Sequence, residues 1–144
     1  MIKFTVYGEP VAQGRARATV IAGHARMYDP AKSRNYKQII REEVLKQRPA
    51  RLIEGPVSLT VRAYKLIPKS FSKAKRAAAL AGELRPVTKP DLKNILAGVE
   101  DALNQVIWGD DSQIVDFGQS GKWYSDVPRV EVEIREIEEA KAVG

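Results

Sequence analysis

The chain contains no cysteine and only one histidine, His24, among its 144 residues. Disulfides, a thiol nucleophile and thiolate metal sites are therefore excluded, and one chain cannot supply a pair of histidine ligands. Apolar runs are too short for a transmembrane helix, and the N-terminus lacks the apolar core of a secretory signal. We therefore expect a cytoplasmic protein with no membrane partner.

What the chain has instead is an uneven distribution of charge. Apolar residues make up 44% and charged residues 29%, which is typical of one compact domain over residues 1–144. The net charge is +6, but residues 1–90 contain 19 Lys and Arg against 6 Asp and Glu, whereas residues 91–144 contain 5 against 12. A basic surface suits a polyanion such as nucleic acid. An ordinary globular domain with lysine-rich helices is the alternative on composition alone.

Periodicity predicts an α+β fold. Alternating apolar and polar residues predict strands at 2–7, 57–64, 113–117 and 129–135, and a hairpin within 14–28 that turns near Gly23. Helical spacing predicts helices from Asp29 to about Gln47, from Ser70 or Ser72 to about Gly82, and from Asp91 to Val106. The order β-ββ-α-β-α-α-β-β predicts about three helices packed on a mixed or antiparallel sheet.

Three aspartates occupy positions suited to phosphodiester chemistry. Asp91 stands at a predicted helix start, and Asp110 and Asp111 lie in a turn before a predicted strand. Magnesium prefers carboxylate and water ligands, and metal-assisted cleavage needs such ligands to activate water and to neutralise the leaving group. The structural alternative is that Asp91 only caps its helix and that Asp110-Asp111 is an ordinary turn.

The segment 89–114 contains several spaced elements of one signature. Pro90-Asp91 precedes a helix, Asn94 follows three residues later, Asp-Ala-Leu-Asn closes the helix at 101–104, and Asp-Asp-Ser-Gln-Ile leads into a strand at 110–114. This pattern resembles the RusA family of Holliday-junction resolvases, and residues 8–30 resemble its N-terminal half more loosely. The resemblance implies a RusA-like, homodimeric, magnesium-dependent endonuclease that makes paired nicks in four-way DNA junctions.

The resemblance also implies roles for individual residues. Asp91 and Asp111 would be catalytic, and Asp91, Asp110 and Asp111 would bind Mg²⁺, with Asp111 favoured over Asp110. Two positions depart from the family pattern, because Lys93 replaces a second aspartate and Ala97 replaces a lysine. Lys93 lies four residues before Ala97 on the same helix face, so it is a candidate catalytic cation. The departures leave open a catalytically weakened or inactive homologue that binds junctions or other nucleic acid.

Helix length predicts how the aspartates are brought together. A straight helix over 91–106 spans roughly 24 Å, and Asp110-Asp111 leave from its far end. We therefore predict a composite site in which Asp91 of one chain meets Asp110 and Asp111 of another across a twofold dimer. Asp91 beside Asp111 in the same chain would contradict this prediction.

Basic residues of the first ninety positions are candidates for phosphate contacts that position branched DNA by shape. These are Arg15, Arg17, Lys69, Lys73, Lys75, Arg76 and Lys89. A solvated surface charge is the alternative for each of them. Trp108 and Trp123 are candidates for base stacking, and an apolar anchor at a helix end is the alternative for Trp108.

Overall fold

A computed structural model describes residues 1–13, 17–21, 24–28 and 31–139. The elements in chain order are β1 (Ile2–Tyr7), β2 (Arg17–Ile21), β3 (His24–Tyr28), α1 (Ala31–Leu45), β4 (Val57–Leu66), α2 (Lys73–Leu80), α3 (Leu92–Leu103), β5 (Ile114–Asp116), β6 (Gly121–Ser125) and β7 (Arg129–Glu136). A short 3-10 helix, Asp111–Gln113, leads into β5. The predicted α+β fold with three helices and a mixed sheet is confirmed.

The longest strand, β4, is the centre of a five-stranded sheet. β7 pairs antiparallel with one edge of β4, and β1 pairs antiparallel with the outer edge of β7. On the other edge of β4, β5 runs parallel to its start and β6 runs parallel to its end. β2 and β3 form a separate antiparallel hairpin, as the sequence predicted.

The core lies between one face of this sheet and the helices α1 and α3. Alternate strand residues and one stripe of each helix fill it, including Val57, Leu59, Val61, Val130, Val132, Ile134, Ile40, Val44, Ile95 and Val99. The ammonium of Lys37 on α1 is buried and lies 2.6 Å from the carboxylate of Asp101 on α3. The Asp101 carboxylate compensates the buried charge of Lys37, and this ion pair links α1 to α3.

Several predicted boundaries are wrong; β4, for example, continues to Leu66 rather than ending at Tyr64. α3 ends at Leu103 rather than Val106, because Gln105 adopts a positive φ of 63° that a helix cannot contain. The strand predicted at 113–117 is confined to Ile114–Asp116, because Gln113 belongs to the 3-10 helix. The structure also adds β6, for which the sequence showed no alternating pattern.

Two expectations fall outside the described residues: the helix start at Asp29 and the hairpin turn near Gly23. In the described part of the chain, no helix combines the length and the apolar character that a bilayer crossing needs.

A serine closes the gap that β5 and β6 leave along the edge of β4. β5 pairs with residues 57–58, and pairing with β6 begins only at Arg62. Between them, the N–H of Val61 donates to the hydroxyl of Ser120 at 2.8 Å. Because Val61 is fully buried, the Ser120 hydroxyl satisfies a backbone donor that water cannot reach.

We expect Ser120→Ala to lower the free energy of unfolding by about 1–3 kcal/mol, because it leaves the Val61 N–H unpaired. Urea denaturation measures this change. Ser70→Ala is the matched control: Ser70 is exposed and has no side-chain hydrogen bond within the described residues. Equal stability of the two variants would contradict the role given to Ser120.

Candidate active site

Asp91 occupies the N-terminal cap position of α3, but its carboxylate does not cap the helix. Its backbone carbonyl accepts the N–H groups of Asn94 and Ile95 at 3.1 and 3.0 Å, whereas its side chain accepts no capping hydrogen bond. The side chain is exposed. Helix capping therefore does not account for an aspartate at this position, and its oxygens are available to an external ligand.

Two lysines of the sheet hold the chain segment that leads into Asp91. Lys65 of β4 donates to the Thr88 hydroxyl at 2.9 Å and to the carbonyl of Lys89. Lys122 of β6 donates to the carbonyl of Thr88 at 2.7 Å. Burial and the charge of Lys65 lower the pKa of Lys122, and the charge of Asp91 acts in the opposite direction. The two ammonium groups and the Asp91 carboxylate therefore share one electrostatic environment.

The turn that contains Asp110 and Asp111 is a capped 3-10 helix. The carboxylate of Asp110 accepts from the N–H of Ser112 at 3.3 Å and from its hydroxyl, and these hydrogen bonds lower the pKa of Asp110. Asp111 is exposed, and its backbone N–H makes a smaller contribution to the lowered pKa of Asp110. The geometry thus gives Asp110 a structural task and favours Asp111 as the carboxylate that faces a ligand.

Gln113 ties this turn to the core. Its side-chain oxygen accepts the N–H groups of Gly109 and Asp110, each at 3.0 Å. Its amide nitrogen donates to the carbonyls of Ile53 at 2.7 Å and Gly55 at 3.1 Å. Gln113 therefore positions the Asp110–Asp111 turn through four hydrogen bonds.

Asn104 and Trp108 anchor the chain between α3 and the turn. The indole N–H of Trp108 donates to Asn104 Oδ1 at 2.7 Å. Trp108 has no exposed surface, so it cannot stack on a base. The alternative of an apolar anchor is confirmed for this residue.

Asp91 and Asp111 lie at opposite ends of α3. Burial raises the pKa of Glu100, and the charge of Asp111 raises it further, while the turn that contains Asp111 leads directly into β5 at the start of β4. Glu100 follows Asp91 by nine positions, about 14 Å along a helix axis. Among the residues with described positions, no three His, Asp or Glu side chains of one chain come together to hold a metal. The predicted set of Asp91, Asp110 and Asp111 is therefore not assembled within one chain.

The sequence profile of the family described as Endodeoxyribonuclease RusA matches residues 7–135. The chain belongs to the RusA family. It is also 54% identical over 138 residues to the uncharacterized protein YqaN of Bacillus subtilis (strain 168), a match that covers 94% of this chain and 96% of that protein. The resemblance found in residues 89–114 is thereby confirmed and extends over most of the chain.

The two positions that depart from the RusA pattern are in the first two turns of α3. Lys93 is exposed, and it has no ion pair or side-chain hydrogen bond within the described parts of the chain. Ala97, one turn later, is half-buried. Lys93 is thus accessible to DNA, and nothing in the structure directs its ammonium toward Asp91.

The predicted phosphate-binding residues fall into two groups. Lys69, Lys73 and Lys89 are exposed and their ammonium groups contact no partner in the described segments. Lys75 contacts the ring of Phe71 and Arg76 pairs with Asp126. Arg17 begins β2, but its side chain is outside the described part of the structure. Arg15 lies outside the described residues.

A row of alternating arginine and aromatic side chains crosses the sheet face opposite the core. The guanidinium carbon of Arg129 lies 3.9 Å from the ring centroid of Tyr64, and that of Arg85 lies 4.2 Å from the ring of Trp123. The Tyr64 and Trp123 rings stack on each other with centroids 5.7 Å apart. The half-buried Trp123 ring contacts both Tyr64 and Arg85, so it already has stacking partners within the chain.

Sequence reasoning missed Lys65 and Lys122. Lys65 lies one residue beyond the predicted end of its strand, and Lys122 belongs to β6, which periodicity did not reveal. Only the parallel pairing of β4 with β6 brings them together. Locally, the sequence shows only that each of these residues is a lysine, and lysines are too common for that to identify a binding site.

We expect Gln113→Ala to lower the free energy of unfolding by about 2–4 kcal/mol, because it removes four hydrogen bonds that each contribute about 1 kcal/mol. Urea denaturation provides the measurement. Gln119→Ala is the control, since Gln119 is exposed and makes no side-chain hydrogen bond among the described residues. A Gln113→Ala protein as stable as this control would show that the turn does not depend on Gln113.

The raised pKa of Glu100 predicts a pH-dependent effect of its replacement. A carboxyl whose pKa is higher in the folded state opposes folding when the pH is high enough to ionise it, and has no such effect when both states are protonated. We therefore expect Glu100→Gln to raise the melting temperature at pH 7 but not at pH 3, measured in the presence of a chelator. Glu54→Gln, at an exposed glutamate, is the control. A lower melting temperature of Glu100→Gln at pH 7 would contradict the assignment.

Proposed function

We propose that this chain is a magnesium-dependent endonuclease that resolves four-way DNA junctions by paired phosphodiester nicks. The observation that carries the proposal is the Asp91 carboxylate, which is exposed, does not cap its helix, and lies among lysines in a member of the RusA family. Such an activity acts in DNA recombination and repair, in the compartment that holds DNA, in line with the cytoplasmic location expected from the sequence.

The carboxylates fit the proposed cofactor by their chemistry. Asp91 and Asp111 offer exposed oxygen ligands of the kind that Mg²⁺ prefers, and Asp110 could contribute its second oxygen beside the cap. Magnesium, when bound, supplies activation of water and neutralises charge on the leaving oxygen. In this proposal Asp91 and Asp111 are the catalytic ligands.

The separation of these ligands supports a site shared by two chains. Asp91 begins α3 beside Lys122 at the end of β4, whereas Asp111 comes just before β5 at the start of β4, and this separation favours ligands from two chains. Two chains with antiparallel α3 helices would place Asp91 of each beside Asp111 of the other. A homodimer of this kind has two equivalent sites, which is what two symmetric nicks require.

The exposed lysines would hold the substrate. Lys69, Lys73 and Lys89 present charges that no described carboxylate neutralises, and contacts of this kind attract DNA through its phosphates without reading bases. The contacts that the Tyr64 and Trp123 rings make within the chain agree with recognition by shape and charge.

A second candidate function is binding of junctions without cleavage. Lys93 favours it, because it stands where the family pattern has an aspartate and the metal would then have one ligand fewer. Incubation of a synthetic four-way junction with the protein, with and without Mg²⁺, separates the two functions. Binding without any nick in Mg²⁺ would overturn the nuclease proposal.

We expect Asp91→Asn and Asp111→Asn each to lower the nicking rate about a thousandfold, the effect of losing about 4 kcal/mol of transition-state stabilisation. A mixture of the two variants should regain nicking, because a mixed dimer contains one site with both aspartates. That dimer should cut one strand rather than two. Denaturing gels of a junction labelled on each strand measure this outcome.

A control variant tests whether the loss of nicking is specific to Asp91 and Asp111, and the mixture tests whether two chains share one site. Asp126→Asn changes an exposed aspartate that pairs with Arg76 and should leave nicking unchanged. A mixture that stays as inactive as its two components would show that each chain contains a complete site. Full activity of both single variants would remove Asp91 and Asp111 from the mechanism.

A further inference from the structure

The sheet places two lysines on one face beside Asp91. In the parallel pairing of β4 with β6, Lys122 is opposite Ala63, and Lys65 is opposite Tyr124. Residues two apart on a strand share a face, so Lys65 lies on the same side as the buried Ala63. Both side chains leave that face and end at residues 88–89, directly before Asp91.

The two ammonium groups have more donors than the protein uses. Each has three N–H groups. Lys65 donates two hydrogen bonds to the segment 88–89, and Lys122 donates one. Within the described residues, neither forms an ion pair with a carboxylate, so three N–H groups have no protein acceptor.

Positive charge exceeds negative charge around the two ammonium groups. Lys65 and Lys122 are both half-buried and close enough to repel each other, and the charge of Asp91 acts on Lys122. The first N–H groups of α3, which the Asp91 side chain does not cap, add positive potential. An anion with several acceptor oxygens satisfies the free donors and relieves the repulsion of the two ammonium groups.

We propose that Lys65 and Lys122 form a phosphate-binding site that holds a backbone phosphate of the DNA strand beside Asp91. This inference rests on the proposed nuclease function. The sheet then supplies the cation that the family pattern places on the helix, at the position that Ala97 occupies here. The hydrogen bonds to residues 88–89 fix both ammonium groups before DNA arrives.

Replacement of each lysine by glutamine tests the site, because an amide retains an N–H donor for residues 88–89 and removes the charge. We expect Lys65→Gln and Lys122→Gln each to weaken binding of a synthetic four-way junction about three- to tenfold at moderate salt. In the double variant, the slope of log affinity against log salt should fall by about one, as expected for one lost phosphate contact. Binding is measured in a chelator so that cleavage does not interfere.

Three further variants distinguish phosphate binding from a purely structural role. Lys122→Arg retains the charge and should retain the salt dependence. Thr88→Val removes an acceptor of Lys65 without changing any charge, and it should also leave the slope unchanged. Lys46→Gln, at an exposed lysine directly after α1 that pairs with Glu43, is the matched control.

The outcomes are distinct. A folded double variant with the wild-type salt slope would overturn the phosphate site, and junction nicking by the wild-type protein would then leave the proposed function intact. A Thr88→Val variant that reproduces the binding defect of Lys65→Gln would also overturn it, in favour of a structural role. A wild-type protein that neither binds nor nicks junctions overturns both proposals.

Discussion

The backbone of β4 is buried over most of its length, and each of its N–H and C=O groups needs a partner on one edge or the other. β7 provides these partners along one edge without interruption. On the other edge, two short strands divide the task, with the Ser120 hydroxyl between them. After α3, the chain therefore forms β5 along the start of β4 and then β6 along the end of β4.

This requirement places the two halves of the candidate site. The Asp110–Asp111 turn lies directly before β5 and so at the beginning of β4, whereas β6 takes Lys122 to the other end of β4, beside Asp91. The helix α3 lies over the same sheet between these positions. One chain thus carries both kinds of site residue but keeps them apart.

The uneven charge of the sequence has a structural explanation in the same sheet. Most late acidic residues with described partners neutralise basic residues from elsewhere in the chain. The pairs are Glu133 with Lys3 and Arg62, Glu131 with Arg129, Asp126 with Arg76, and Asp101 with Lys37. Asp91 and Asp111 take part in no such pair within the described residues, and Glu100, Asp110, Asp116 and the acidic residues at 136, 138 and 139 share this property.

The strands β1, β4 and β7 could be predicted because their inward residues alternate, and α2 because Ser72 caps a run of helix formers. β6 could not, since all but one of its residues are half-buried and no face is clearly apolar. The end of α3 depends on the backbone of Gln105, which no side-chain pattern reveals. The sequence allows Asp91 to be either a helix cap or a metal ligand. Only the structure, in which its side chain makes no capping hydrogen bond, favours the role of metal ligand. Lys65 and Lys122 are close because of strand pairing, which local sequence does not encode.

In a twofold dimer with shared sites, the length of α3 sets the distance between the two sites. The two sites would then stand about one helix length apart, and 12 residues correspond to about 18 Å. Each base pair advances a DNA strand by about 3.4 Å, so this length corresponds to roughly five base pairs of duplex. The length of α3 would then determine the distance between the two cuts, independently of any base contact.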